Sequence, residues 1–124
     1  MTELRQRQPR QRNEQHLRWL RTLECLVSGS RQKVEAAHVR FDDPVLGKRQ
    51  TGIGERPDDR WALPLARDIH ADQHRHGERE WWARQGIDPL RIAQQLYCVS
   101  GDTEAGETVI RMARLTVSTE TSGT

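Results

Sequence analysis

Two histidines four residues apart, His70 and His74, are the side chains of this sequence best spaced to bind one metal ion together. The segment that contains them predicts a helix, and side chains four apart on a helix project from one face about one turn apart. Imidazoles in such a pair can bind a divalent metal. Two histidines at this spacing on a polar helix are more often solvated surface residues than metal ligands. The spacing alone therefore leaves both interpretations, a surface pair and a metal site, open.

A third histidine, His38, falls in a segment that predicts a strand. Residues 34–41 alternate with a period of two, which places His38 and Val39 on opposite faces. A neutral imidazole with a pKa of about 6.5 accepts a proton near neutral pH, so His38 suits a general base better than its neighbours in the strand. The other two histidines receive no role, because His16 is expected on the surface of the first helix and His76 near a helix end.

The elements around these histidines follow from capping and periodicity. Asn13 predicts the start of a helix that runs to about Leu23. The strand at 34–41 is followed by a long connection, Asp42 to Asp59, and by a second strand, Trp61 to Leu65, that is expected to pair with the first. A helix from Ala66 to about Arg75 then presents His70 and His74. The fold class is therefore α+β, a short antiparallel ribbon packed on flanking helices.

The long connection combines glycines with basic residues. Lys48, Arg49 and Arg56 stand among Gly47, Gly52 and Gly54, and connections of this length are often functional. These bases, with Arg40 at the end of the first strand, are the candidate DNA-binding residues. A flexible connector without a partner is the alternative.

Three further helices are expected. Residues 78–85 form one that ends at Gly86 and buries Trp81 and Trp82. Asp88 followed by Pro89 is the strongest helix start in the chain and leads an apolar stripe to Gly101, in which Cys98 is a small core residue. A weak helix runs from about Thr103 to Arg114, and a disordered Ser/Thr-rich tail follows.

Length and charge set the domain plan. A chain of 124 residues forms about one domain. We expect a flexible basic arm over residues 1–12, an ordered domain over 13–101, and the weak helix and tail over 102–124. The net charge is +2, but arginines crowd the first twenty-one residues. That stretch either meets phosphates or is a solvated tail.

Cysteine usage and hydropathy bear on the compartment. Cys25 and Cys98 are too far apart to form a disulfide framework and are expected as free thiols. No apolar run approaches the roughly 18 to 20 residues of a membrane span, and no signal peptide follows Met1. We therefore expect a soluble, cytoplasmic protein without a membrane partner; its oligomeric state is not predicted.

Several stretches between about residues 13 and 101 carry a family resemblance. They are His16–Leu23, Cys25–Val27, Ala36–Phe41, Pro57–Trp61, Pro64–Leu65, His70–His74, Gly77–Trp82 and Gly86–Leu90. In combination they resemble the HNH-type (ββα-metal) nucleases, a family of small phage and bacterial proteins related to the phage recombination-enhancement nuclease. The resemblance implies a ββα-metal motif spanning roughly Val34 to Arg75.

The resemblance also implies roles. His38 would be the general base, His70 and His74 the metal ligands, and Asp58 or Asp59 the residue that orients the base or helps the metal. One divalent ion is implied, with Mg²⁺ or Mn²⁺ favoured and Zn²⁺ or Ni²⁺ also suited to imidazoles. The expected activity is hydrolysis of DNA phosphodiesters. The alternative is a phage-derived module of the same fold that binds nucleic acid or a host protein without catalysis.

The chain departs from the family at a structural zinc site. Family members carry four zinc ligands in two pairs, one near position 25 and one at the start of the helix. Here only Cys25 has a ligand side chain, and the other three positions are Ser28, Ala66 and Ile69. Four-ligand zinc binding is thereby excluded at this place, and no structural zinc is expected. The tryptophans and the helix after Asp88 are expected to supply the missing stability.

Overall fold

The computed structural model describes residues 12–41 and 58–122, with the side chains of the last helix described as far as Leu115. Over these residues the chain is α+β, as expected, with five α-helices around a two-stranded antiparallel ribbon. A single 3-10 turn, Asp59–Trp61, leads into the second strand. The elements in chain order are α1 Glu14–Leu20, β1 Val34–His38, β2 Ala62–Ala66, α2 Arg67–His74, α3 Glu78–Gln85, α4 Pro89–Cys98 and α5 Thr103–Ser122.

The ribbon fixes the position of everything that follows it. Its register pairs Val34 with Ala66 and His38 with Ala62. Ala36 lies opposite Pro64, whose carbonyl accepts a hydrogen bond from the backbone N–H of Leu26 at 2.9 Å. Because α2 begins directly after β2, the start of β1 lies beside the first turn of that helix.

The core forms where the helices cover the ribbon. All five residues of β2 are buried, which is typical of a strand covered on both faces. Trp81 and Trp82 are buried as predicted, with their rings edge to face at 4.9 Å. The remaining large core side chains include Leu17, Leu20, Leu23, Leu26, Trp61, Leu63, Leu65, Leu90, Leu96 and Ile110.

The predicted bounds of the helices and strands agree best with the structure where residues next to the boundary determine it. α3 ends at Gly86, which has a left-handed φ of 72°, and the Asp88 side chain caps α4 by accepting from Arg91 N–H. α1 stops three residues earlier than expected, because Thr22 donates its hydroxyl to the Trp19 carbonyl and tightens the chain into a turn. β1 ends at His38 rather than at residue 41, since the N–H of Trp61 donates to the Asp58 carbonyl within the 3-10 turn and not across the ladder to Val39.

The last helix is longer than expected. α5 continues to Ser122, where the sequence predicted a disordered tail after Arg114. Its first half is fixed by burial of Ile110 and by hydrogen bonds from Arg111 and Arg114 to Glu24. Once a helix is nucleated, each further residue adds a hydrogen bond at little cost, which accounts for the extension.

Both cysteines are free thiols, as expected, but only one is in the core. Cys25 is fully buried, whereas Cys98 is exposed, so the prediction that Cys98 is a core residue is wrong. The buried stripe of α4 passes through Leu90, Ala93 and Leu96, and Cys98 lies outside it. Among the described helices, none has the length and apolar character needed to cross a membrane.

Candidate active site

A cavity of about 720 Å³ lies against one face of the ribbon. It gathers side chains from α1, β1, the 3-10 turn and α2. His38, Asp59, His70, His74 and Arg40, all predicted as site residues, line it together. The other lining residues are Arg12, Glu14, Leu17, Arg21 and Ala36.

His38 and Asp59 form a close pair on one side of this cavity. His38 Nε2 lies 2.9 Å from Asp59 Oδ1, and the side chains are only 13% and 3% exposed. The second carboxylate oxygen, Oδ2, accepts a hydrogen bond from the backbone N–H of Asn13 at 2.6 Å. Of the two candidate aspartates, Asp59 is therefore the one that contacts His38; Asp58 precedes the 3-10 turn, where its carbonyl accepts from Trp61 N–H.

Local folding explains why this aspartate meets this histidine. His38 is the last residue of β1 and lies opposite Ala62, the first residue of β2. The Val39 N–H donates to the Trp61 carbonyl at 2.8 Å, which holds the 3-10 turn against the end of β1. Asp59 begins that turn, so its short side chain reaches the His38 ring.

His70 and His74 lie one turn apart on α2, as their spacing predicted. Their Nε2 atoms are 3.1 Å apart and their ring centroids 4.6 Å apart. His70 Nδ1 lies 2.8 Å from Glu35 Oε1. Because an ionised carboxylate can only accept, the His70 proton sits on Nδ1, and Nε2 turns a lone pair toward His74.

The hydrogen bond from His70 lowers the pKa of Glu35 below its usual value, and a hydrogen bond from Arg67 adds to this against the opposing effect of burial. Glu35 therefore stays ionised over the whole neutral range. Sequence reasoning did not select Glu35. The ribbon register could have identified it, since it pairs Glu35 with Leu65, two residues before the start of α2 at Arg67.

The imidazole pair has dimensions that fit a shared divalent ion. Two nitrogens bound at about 2.0 to 2.1 Å to one ion in octahedral or tetrahedral geometry lie about 2.8 to 3.4 Å apart. The observed 3.1 Å falls in this range. The same distance also fits a direct hydrogen bond from one ring to the other. In the described parts of the chain no group of three His, Cys, Asp or Glu side chains could hold a metal.

The charge around the cavity is mixed but mainly positive. Arg12, Arg21 and Arg40 line it, with Glu14 and Asp59 as the opposing carboxylates. Arg21 and Glu14 are 3.7 Å apart and both largely exposed, so this ion pair is worth little and leaves the guanidinium available to an anion. The other predicted DNA-binding residues, Lys48, Arg49 and Arg56, and the arm up to residue 11 lie outside the described residues.

Behind Asp59 lies a residue that the sequence prediction misplaced. His16 is 1% exposed, not on the surface as predicted, and its Nδ1 lies 2.6 Å from Ser100 Oγ. Burial lowers the pKa of His16, while the negative charge of nearby Asp59 acts in the opposite direction. The periodicity could have shown this burial, because His16 forms one helical stripe with Trp19, Leu20 and Leu23.

Comparison with known proteins identifies a family for this chain but no activity. The sequence profile of DUF968, described as a protein of unknown function, matches residues 3–100. This chain belongs to the DUF968 family. Neither the curated proteins nor the solved structures contain a match.

The DUF968 match includes every cavity-lining residue named above and all of α1 to α4. It ends before Thr103, where α5 begins. The candidate site thus belongs to the part of the chain shared with the family. The helix α5, which packs on Trp19 of α1, lies outside the match.

Proposed function

We propose that this chain is a metal-dependent nuclease that hydrolyses DNA phosphodiesters, with β1, β2 and α2 as its ββα-metal motif. One observation carries the proposal: the His38–Asp59 pair and the facing Nε2 atoms of His70 and His74 line the same cavity. Phosphodiester hydrolysis needs a base for the attacking water and a positive charge near the leaving oxygen, and these two groups supply both.

His38 acts as the general base. The Asp59 carboxylate accepts from Nε2–H and so fixes the tautomer, which makes Nδ1 the nitrogen that takes a proton from water. Asp59 is almost fully buried, so its charge acts at low dielectric and stabilises the imidazolium that forms. Buried carboxylates orient catalytic histidines in the same way in serine hydrolases.

His70 and His74 hold the divalent ion, Mg²⁺ or Mn²⁺ in the first instance, although imidazoles also suit Zn²⁺ or Ni²⁺. The ion supplies positive charge to the phosphate and to the departing oxygen. Glu35 fixes the orientation of His70 and increases the basicity of its Nε2. As two protein ligands, His70 and His74 would leave the rest of the coordination of such an ion to water and to phosphate oxygens.

The protein would bind DNA through the sugar-phosphate backbone. Arg12, Arg21 and Arg40 are placed around the cavity to contact phosphates on either side of the reacting one. We expect further contacts with phosphates from the basic arm and from Lys48, Arg49 and Arg56. The two free thiols suit a cytoplasmic setting.

A binding module without catalysis is the second candidate. The absence of a three-ligand group from the described residues favours it, and so does the His70–His74 distance, which a direct hydrogen bond would also explain. In that case the cavity would bind a nucleic-acid strand or a protein partner and would need no metal ion.

Plasmid nicking and calorimetric metal titration on the same variants test the proposal. His38→Ala should retain metal binding, while nicking falls by about 10² to 10⁴. His70→Ala or His74→Ala should lose metal binding and nicking together. His76→Ala is the matched control, because His76 is exposed just beyond α2 and does not line the cavity; it should retain both.

Two results would count against the nuclease. If the unmodified protein binds DNA but never nicks it with Mg²⁺, Mn²⁺, Ni²⁺ or Zn²⁺, the binding module replaces the enzyme. If His38→Ala nicks as fast as the parent, the base is another group.

A further inference from the structure

We propose that His16 is a positioning residue for the His38–Asp59 pair: its Nε2–H shares the charge of Asp59 and so sets how strongly that carboxylate holds His38. The inference rests on the proposed role of His38 as the base. His16 does not line the cavity, so it would act only through Asp59.

Burial of an unpartnered ring nitrogen is the first observation. His16 is 1% exposed, and among the described residues its Nε2 has no hydrogen-bond partner. Buried polar atoms are nearly always paired, so an exception calls for a physical reason. The negative charge of Asp59 supplies one, because it acts on the His16 ring and favours a proton on the unpartnered nitrogen even beyond hydrogen-bond distance.

Asn13 brings the two groups together. Its backbone N–H donates to Asp59 Oδ2, and its side-chain Oδ1 accepts from the His16 N–H at 3.0 Å. The His16 ring is held from the other side, edge to face on Tyr97 at 4.8 Å and against Ser100 through Nδ1. Little freedom is left to turn this ring away.

The tautomer of His16 follows from these contacts. If the Ser100 hydroxyl donates to Nδ1, the ring proton is on Nε2, where the Asp59 charge favours it. Because burial lowers the pKa of His16, the ring stays neutral and does not replace His38 as the ion-pair partner of Asp59.

The consequence for the base is a matter of charge sharing. A buried carboxylate paired with one imidazole raises the pKa of that imidazole and favours its protonated form, which cannot act as a base. Each further N–H that acts on the same carboxylate weakens this effect, as the Asn13 backbone N–H does and the His16 N–H would do in addition. His16 would thereby keep His38 neutral at the pH at which it must accept a proton.

A purely structural role is the competing explanation, in which His16 only ties α1 to α4 through Ser100. Two substitutions separate the roles. Glutamine reaches the position of Nε2, and asparagine reaches that of Nδ1. His16→Gln therefore keeps a donor toward Asp59, while His16→Asn keeps only the link to Ser100.

The readout is the pKa of His38, measured by NMR in the metal-free, full-length protein. We expect His16→Asn to raise it by on the order of half a unit, and His16→Gln and Ser100→Ala to leave it unchanged. Equal shifts in the two His16 variants, a shift in Ser100→Ala, or no shift in His16→Asn would overturn the proposal. The other charged or titratable groups that line the cavity, and that all variants retain, are Arg12, Glu14, Arg21, Arg40, His70 and His74.

A measurement on the unmodified protein guards against variants that do not fold. Long-range ¹H–¹⁵N spectra identify which nitrogen of His16 carries its proton. A proton on Nε2 agrees with the proposal, and a proton on Nδ1 overturns it. Neither NMR experiment requires catalysis, so a chain that fails to nick DNA could still show charge sharing, and the reverse.

Discussion

At the scale of single residues, Glu35 decides which ring nitrogen of His70 carries the proton and which one is left to bind a cation. An imidazole can place its proton on either nitrogen, and only the Nδ1–H form leaves Nε2 able to bind a cation. The carboxylate of Glu35 selects that form through a 2.8 Å contact. A residue outside the cavity lining therefore controls one that lies inside it.

Replacing this carboxylate gives the first prediction. Glu35→Gln removes the charge behind His70 but keeps an acceptor, and we expect Mn²⁺ and Zn²⁺ to bind about 10- to 100-fold more weakly. Isothermal titration measures the affinity. Arg67→Gln is the control, since it removes the other partner of Glu35 and leaves His70 in contact; equal affinities for parent and Glu35→Gln would show that Glu35 has no such role.

Residue types and spacing predicted only part of the site. His38, His70 and His74 could be chosen from the sequence, because imidazoles carry recognisable chemistry and four-residue spacing defines a helix face. Their partners could not be chosen in this way. The sequence left Asp58 and Asp59 as equal candidates, and only the contact of Asp59 with His38 distinguishes them. The position of Glu35 beside His70 depends on the register between the two strands.

At the scale of elements, α1 and α5 approach each other closely at Gly106. A Cβ atom at this position would lie 2.7 Å from Trp19 Cζ2, which is closer than carbon atoms pack. Trp19 cannot easily withdraw, because its ring is buried and its Nε1–H donates to Thr103 Oγ1 at 3.2 Å. A glycine in the first turn of α5 is thus required by packing.

Gly106→Ala tests this contact. Alanine is the better helix former by about 1 kcal/mol, but overpacking against Trp19 should outweigh that gain and destabilise the protein by about 1 to 3 kcal/mol. Urea unfolding measures the difference. Gly77→Ala is the matched control, with nothing within 4 Å of the added Cβ and an ordinary φ of −60°; a more stable Gly106→Ala variant would refute the close approach.

Local signals predicted some elements fully and others only in part. The bounds of α3 and α4 followed from Gly86 and from Asp88 with Pro89, because these residues act on the backbone next to them. The end of β1 depends on the 3-10 turn at Asp59–Trp61, which is distant in sequence and uses the Trp61 N–H for itself. The length of α5 depends on its anchoring to Glu24, which no local pattern shows.

At the scale of the whole molecule, a buried carboxylate joins the turn after α1 to the last helix, α5. Glu24 is 5% exposed and contacts Arg114 and Arg111 from α5, with Arg31 at 3.5 Å. Arg114 also donates to the Cys25 carbonyl at 2.8 Å. The turn around Cys25 is thus held by an arginine from a helix beyond the DUF968 match.

This cluster predicts how stability depends on pH. Burial by itself would raise the pKa of Glu24, but hydrogen bonds and charges from Arg114 and Arg111 lower it below its usual value of 4.5. A group whose pKa is lower in the folded state stabilises the protein above its unfolded pKa, and this contribution is lost as the pH falls through the folded value.

Glu24→Gln should therefore be less stable than the parent by about 1 to 3 kcal/mol at pH 7, and the difference should shrink below about pH 4.5, near the ordinary pKa of a glutamate. Urea unfolding at pH 7 and pH 3 measures it. Glu14→Gln removes an exposed ion pair and should change stability little at either pH. A gap between Glu24→Gln and the parent that is equally large at both pH values would show that the Glu24 charge is not the cause.

Pro64, in the middle of β2, is placed where a proline does no harm to the ribbon. In an antiparallel strand the N–H and C=O of one residue point to the same side. The Pro64 carbonyl points to Leu26, away from β1, so the N–H that proline lacks would have pointed outward too, and the ladder with β1 loses nothing. On that outer side Leu26 is buried against the strand, so at this point the chain covers the edge of its own ribbon and leaves no room for a strand from another molecule.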